Sequence, residues 1–192
     1  MSGQKPVTPS PDGIAASVNA AKTKGLPPVH LWNPPFCGDL DIHIAKDGSW
    51  TYLGSPINRF ELVKLFSSIL KKEDGKYYLV TPVEKVGITV EDAPFVAVDF
   101  DATGKGTAQT LCFTTHVGDE AVAGPDHPIR IVIDPESEEP APYILIRANL
   151  EARIDRKSFY RLVDIAEHSD GWFGVWSGGQ FFPLIRSEEL PD

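Results

Sequence analysis

Residues 39–53 alternate polar and apolar positions and then turn back. Asp39-Leu40-Asp41-Ile42-His43-Ile44 has the period-two pattern of a half-buried strand. Lys46-Asp47-Gly48-Ser49 reads as a hairpin turn in which Asp-Gly supplies positive φ, and Trp50-Thr51-Tyr52-Leu53 as the return strand. The period then lengthens. Leu62, Leu65, Phe66, Ile69 and Leu70 predict one buried helix face, and Asn58 with Glu61 three residues on predicts a capping box at its start. Asp74-Gly75 ends the helical excursion, Lys76-Tyr77-Tyr78-Leu79-Val80 is the next strand, and residues 82–86 lead out of the unit.

The middle of the chain is β-rich. Residues 95–100 and 107–115 flank a glycine-rich turn, residues 129–133 follow, and an acidic loop over residues 134–140 separates them from a strand at 142–146. The last third then repeats the first. Ile57-Asn58-Arg59 is echoed 97 residues later by Ile154-Asp155-Arg156, and the same offset aligns Leu53 with Leu150 and Leu65 with Leu162. Asp155 takes the capping place of Asn58, while Phe159, Leu162, Val163 and Ala166 form the second apolar helix face. With one residue removed, Asp74-Gly75 aligns with Asp170-Gly171, each followed by an aromatic strand. The expected fold is α+β: two related strand–helix–strand units with mostly antiparallel sheets, descended from a duplication. The expected divisions are an N-terminal extension over residues 1–34, a first α+β unit over 35–90, and a second, β-rich α+β unit over 91–192. In the extension, Pro6, Pro9 and Pro11 mark an extended start, Asp12 caps a short helix over residues 14–21, and Gly25 stops it.

Charge narrows the function classes. The 18 Lys and Arg are outnumbered by 27 Asp and Glu, a formal charge of −9, which argues against nucleic-acid binding and against docking on anionic membranes. The N-terminus has no apolar signal region, no apolar run spans a bilayer, and Cys37 and Cys112 are expected as reduced thiols, so the expected location is cytoplasmic.

Four places could carry chemistry. Asp39, Asp41 and His43, with Cys37, share one strand face and are metal-ligand types, yet strand spacing keeps four in a row from reaching one ion; the plain alternative is the solvated face of an edge strand. Arg59 and Arg156 each follow a helix cap, where a cation opposes the helix dipole and needs a negative companion. That companion is either a carboxylate, with Glu61, Glu84 and Glu151 as candidates, or an anionic ligand held with free backbone N–H groups. Gly104-Lys105-Gly106-Thr107 lacks P-loop spacing and reads as a hairpin turn. The aromatic cluster of Trp172, Phe173, Trp176, Phe181 and Phe182 reads mainly as core, with base stacking as the functional alternative. There is no G-x-S-x-G elbow around Ser177, and the scattered His116, His127 and His168 define no Ser/His/Asp spacing from the sequence alone.

Several segments together resemble a bacterial family, domain of unknown function 1285: Cys37 through Ile44, Asp47-Gly48-Ser49-Trp50, Gly54 through Arg59, Tyr78 through Lys85, and Val90-Glu91-Asp92-Ala93-Pro94-Phe95. The resemblance covers nearly all of the chain after the N-terminal tail. It implies a duplicated core with a C-terminal half loosely like a pleckstrin-homology fold, a nucleotide-type ligand at the interface between the halves, and a role in signal transduction.

Three functions compete. The first is a binding module for a small anionic ligand of nucleotide type, with Arg59 and Arg156 on phosphate and Trp50, Tyr78 or Trp172 on the base, and no cofactor. The second is a metal-assisted hydrolase using Asp39, Asp41 and His43. The third is a scaffold that binds a protein partner through exposed strand edges or aromatics. A binding role is favoured over an enzyme.

Overall fold

Alternation along β1 (Phe36–Ile44) buries Leu40, Ile42 and Ile44 and turns Asp39, Asp41 and His43 to solvent. β1 pairs with β2 (Trp50–Tyr52) on one side and, in parallel, with β6 (Lys85–Val90) on the other. It is therefore an interior strand with one wet face, which corrects the edge-strand reading. The computed structural model describes residues 8–21 and 24–192; the extended start expected at Pro6 lies outside them. The chain divides into two compact units, one ending at Glu91 and one beginning at Asp92. The fold is α+β, with two mixed six-stranded sheets and a small antiparallel one.

In the first unit the sheet runs β3-β2-β1-β6-β5-β4, where β3 is Ser55–Pro56, β4 Leu70–Glu73 and β5 Lys76–Val80. Helix α2 (Phe60–Ser67) buries Val63 and Phe66. Ile69 follows the helix and Leu70 opens β4, so the apolar run continues from helix into strand and not along one helix face. Asn58 does not cap α2. The backbone N–H of Ile57 donates to Trp50 O, holding the chain extended past Pro56; the helix starts one residue late, on Arg59, with no side-chain cap. At α1 (Pro11–Ala20) the cap is Ser10, whose Oγ accepts from the Gly13 N–H, and Pro11 fills the first helical position; Asp12 lies in the first turn.

In the second unit the sheet runs β10-β11-β12-β7-β8-β9. Its strands are β7 (Phe95–Thr103), β8 (Thr110–Thr115), β9 (Glu120–Val122), β10 (Ile129–Ile133), β11 (Pro140–Arg147) and β12 (Leu150–Ile154). β12 pairs with β7 in parallel. Helix α3 (Arg156–Ile165) follows β12, capped by Asp155, which accepts from the Ser158 N–H at 2.8 Å. A separate three-stranded meander closes the chain: β13 (Glu167–Ser169), β14 (Trp172–Ser177) and β15 (Gln180–Arg186). Buried Ser177 fastens the meander to the larger sheet: its Oγ accepts from the Leu111 N–H at 2.9 Å and donates to Ala123 O at 2.7 Å. At Gly174 a Cβ would stand 2.2 Å from Phe182 O, so only glycine fits β14 against β15 there.

Element order repeats between the halves. A three-strand meander, a helix and a second three-strand meander occur as β1-β2-β3, α2, β4-β5-β6 and again as β10-β11-β12, α3, β13-β14-β15. Asp74-Gly75 and Asp170-Gly171 both turn with positive φ (50° and 77°, 49° and 83°), the pair of left-handed residues that a tight hairpin requires. The pairing differs: β6 closes onto β1 in the first unit, whereas β15 and β10 are both sheet edges in the second.

Three predictions follow from this packing. Asp155→Ala should cost about 1 kcal/mol in urea unfolding through loss of the cap, while Asn58→Ala, where no cap bond exists, should stay within a few tenths. Ser177→Ala leaves the Leu111 N–H and Ala123 C=O buried without this partner and should cost roughly 1–3 kcal/mol in the same measurement. Burial pushes the Glu84 carboxyl above its ordinary value, so the folded state holds that proton more tightly than the unfolded one; stability from this group is gained as pH falls through the folded value and levels off below the unfolded one. Glu84→Gln should raise the urea midpoint at pH near 7, and the gain should vanish below roughly pH 4.

Candidate functional site

The first unit disperses its candidates. Trp50 is 2% exposed and packs against Phe66 with ring centroids 6.2 Å apart, so its ring belongs to the core. Tyr78 is half-buried, with Lys85 Nζ 4.5 Å from its ring centroid and the Phe36 ring edge-on at 6.0 Å. Lys85 also pairs with Glu73 at 2.8 Å; the lysine ammonium holds the Glu73 carboxyl below its ordinary value. Arg59 lines a different hollow, between α1 and α2, together with Asp12, Glu61 and Lys64. Among the described residues, no carboxylate lies within ion-pair distance of Arg59.

The metal-ligand candidates do not converge. His43 Nε2 lies 2.9 Å from Asp41 Oδ1, with both side chains about half exposed. Asp39 lies opposite Gly87 on β6, and its carboxylate occupies the space a Gly87 side chain would need, 2.1 Å from the position of a Cβ. Among the described residues, no three His, Cys, Asp or Glu side chains gather at metal-ligand spacing. The Gly104–Thr107 segment joins antiparallel β7 and β8 as a turn, with Gly104 and Gly106 at positive φ.

The second unit gathers one coherent concavity. It has a volume of about 790 Å³ and lies where β10, α3 and the β14–β15 hairpin meet. Ile129, Ile131 and Ile133 line it from β10, Phe159 and Val163 from α3, and Trp172 and Phe173 from β14. Their counterparts on β15 are Pro183, Leu184, Ile185 and Arg186, and Glu138 and Glu189 bring carboxylates to the lining. The location follows from the repeat. In the first unit the corresponding seam is closed by the parallel pair β1–β6; here the two edges are not hydrogen-bonded. Pro183 contributes to keeping the seam open. It pairs across from Gly174 as Gly87 pairs across from Tyr78, and the strand position that supplies an N–H at Gly87 has none at proline.

Charge around this groove is uneven. Arg156 reaches Glu139 at 3.4 Å, an exposed ion pair with a carboxylate other than the three considered from the sequence. It ties the start of α3 to the β10–β11 loop, which also supplies Glu138. Arg130 makes a bidentate pair with Glu151 at 3.0 and 2.9 Å and lies over the Tyr143 ring. Tyr143 donates to Asp92 at 2.5 Å; burial first, and then that bond, pushes its hydroxyl up. Arg161 pairs with Asp99, and the guanidinium holds that carboxyl below its ordinary value. Arg186 is different: its guanidinium lies 4.6 Å from the Trp172 ring centroid and, among the described residues, has no carboxylate in ion-pair distance.

Of the five ligand contacts expected from the sequence, Arg59, Arg156, Trp50, Tyr78 and Trp172, only Trp172 lines this groove; Phe173 of the aromatic cluster lines it too. Residues 129–133 read as a strand from the sequence, and their alternation puts Ile129, Ile131 and Ile133 on one face; neither that face nor Arg186 was among the expected site residues. The structure also brings His168 Nδ1 within 2.8 Å of Ser187 Oγ, a contact that fastens the segment after β15 to β13. Cys112 sits mid-strand in β8, where burial pushes its thiol up, as suits a small apolar residue. No helix among the described residues is long and apolar enough to cross a membrane.

Two family matches cover most of the chain. Residues 27–93 match the domain of unknown function DUF1285, N-terminal domain, and residues 94–184 match the protein of unknown function DUF1285, C-terminal domain. A crystal structure of a DUF1285 family protein from Silicibacter pomeroyi DSS-3 is 64% identical, with a TM-score of 0.87 over 92% of this chain and 97% of that one. A second, from Shewanella baltica OS155, is 31% identical, with a TM-score of 0.52 over 65% of this chain and 91% of that one. No curated protein matches the chain. The chain belongs to the DUF1285 family.

Proposed function

We propose that this protein is a binding module whose second unit holds a small organic ligand in the groove between β10, α3 and β14–β15. The observation that carries the reading is the groove itself: apolar walls from three elements, an aromatic ring at Trp172, and few polar groups, the usual composition of a small-molecule site. Apolar surface left in contact with water at an unpaired seam gains free energy when a ligand covers it, at about 25 cal/mol per Å². Ile133 is 59% exposed, so β10 leaves apolar surface of the groove uncovered.

Of the nucleotide-type ligand expected from the sequence, the groove supports two features, a ring that stacks on Trp172 and a negative charge beside the Arg186 guanidinium; Glu138 and Glu189 in the same lining weigh against a polyphosphate. A role in signal transduction and a pleckstrin-homology-like second half draw their support from the family resemblance.

The test is a thermal-shift panel of nucleosides, nucleotides, and aliphatic and aromatic acids and amines on the full chain. Members that fit the groove should raise the unfolding midpoint. Ile133→Asp, at a largely exposed position, should leave the ligand-free stability within about 0.5 kcal/mol of the parent while abolishing that rise. A rise unchanged by Ile133→Asp would place the ligand elsewhere, and no rise with any member would end the proposal.

A further inference from the structure

Five of the six arginines in the second unit have a carboxylate partner: Arg130 with Glu151, Arg147 with Asp119, Arg153 with Asp92, Arg156 with Glu139 and Arg161 with Asp99. Arg186 has none among the described residues, in a chain where acidic residues outnumber basic ones by 27 to 18. Scarcity of carboxylates is not the reason, since Glu138 and Glu189 line the same groove and neither is within ion-pair distance. The guanidinium carbon lies 4.6 Å from the centroid of the Trp172 ring, a cation–π contact. Its N–H donors point outward in the guanidinium plane, a fork whose geometry matches a carboxylate.

The remaining lining sets the other limits. Ile129, Ile131 and Ile133 stand at alternate positions of one strand, an apolar rail about 13 Å long at strand rise. Glu138 and Glu189 repel additional negative charge, so a ligand with several anionic groups would meet two carboxylates for one guanidinium.

Resting on the groove reading above, we propose that the ligand is a monocarboxylate, an apolar chain or ring system ending in a single negative charge, and that Arg186 is the residue that selects it. The apolar body lies along the β10 isoleucines and the carboxylate takes the free fork of Arg186 beside Trp172. A polyphosphate is disfavoured by the two glutamates.

Titration calorimetry on the full chain tests this with two matched pairs, octanoate against octanamide and indolepropionate against its amide, and with adenosine monophosphate as a dianion. In at least one pair the acid should bind about 10-fold or more tightly than its amide, the worth of a charge-assisted hydrogen bond, and adenosine monophosphate should bind more weakly than that acid. Arg186→Gln should bring acid and amide together, and Arg186→Lys should keep part of the difference. Equal binding of acid and amide by the parent protein, a difference that survives Arg186→Gln, or tighter binding of the dianion would overturn the assignment to Arg186 and leave the groove reading standing. No binding of any of the five compounds would overturn both.

Discussion

The second unit is organised by what its last meander does not do. In the first unit the corresponding meander zips onto β1 through β6, and one continuous sheet results. In the second, β14 is held instead by Ser177, which accepts from Leu111 on β8 and donates to Ala123 just beyond β9. Such a side chain, buried and fully paired, fixes position more strictly than an apolar contact, because any shift strands two backbone groups without partners. With β14 anchored there and Pro183 lacking a donor on β15, the β10 edge has no strand to receive it. The groove follows from that pairing choice.

The same choice explains the chemistry left over. The unpaired seam leaves apolar side chains incompletely covered: Ile133 is exposed, and Ile131, Phe159, Trp172 and Phe173 are half-buried. The charges nearby are mostly spent on one another: in the row Arg130, Tyr143 and Arg153, the two arginines pair with Glu151 and Asp92. These exposed and half-exposed pairs contribute modestly to stability, on the order of 0–1 kcal/mol each. Their larger effect is to neutralise most cations of the unit, so that Arg186 stands out electrostatically.

The elements were largely legible from the sequence, because period-two and helical runs report burial directly. β1, β5, β10 and α3 fell where alternation and capping put them, and Asp155 caps as its spacing indicates. Asn58 failed because a cap depends on where the preceding strand releases the chain, and the Ile57-to-Trp50 hydrogen bond delays that release. β4, β6 and β9 escaped because they are short or broken by lysine and glycine, and only neighbouring strands make them strands. Trp50 shows the limit for sites: an aromatic next to a turn looks available, yet the Phe66 packing that buries it is long-range.

The repeat sharpens that limit into a rule about where to look. Matches 97 residues apart identify what the halves share, namely caps, turns and apolar faces, and these are the parts that hold each unit up. A binding groove is found where the halves diverge. The aligned positions of Gly87 and Pro183 are one such divergence: the first sits in a strand paired on both sides, the second in a strand with an open edge. Recurrence drew attention to Arg59 and Arg156, which open equivalent helices. The unpaired guanidinium beside Trp172 belongs instead to Arg186, on the β15 edge left free by that difference in pairing.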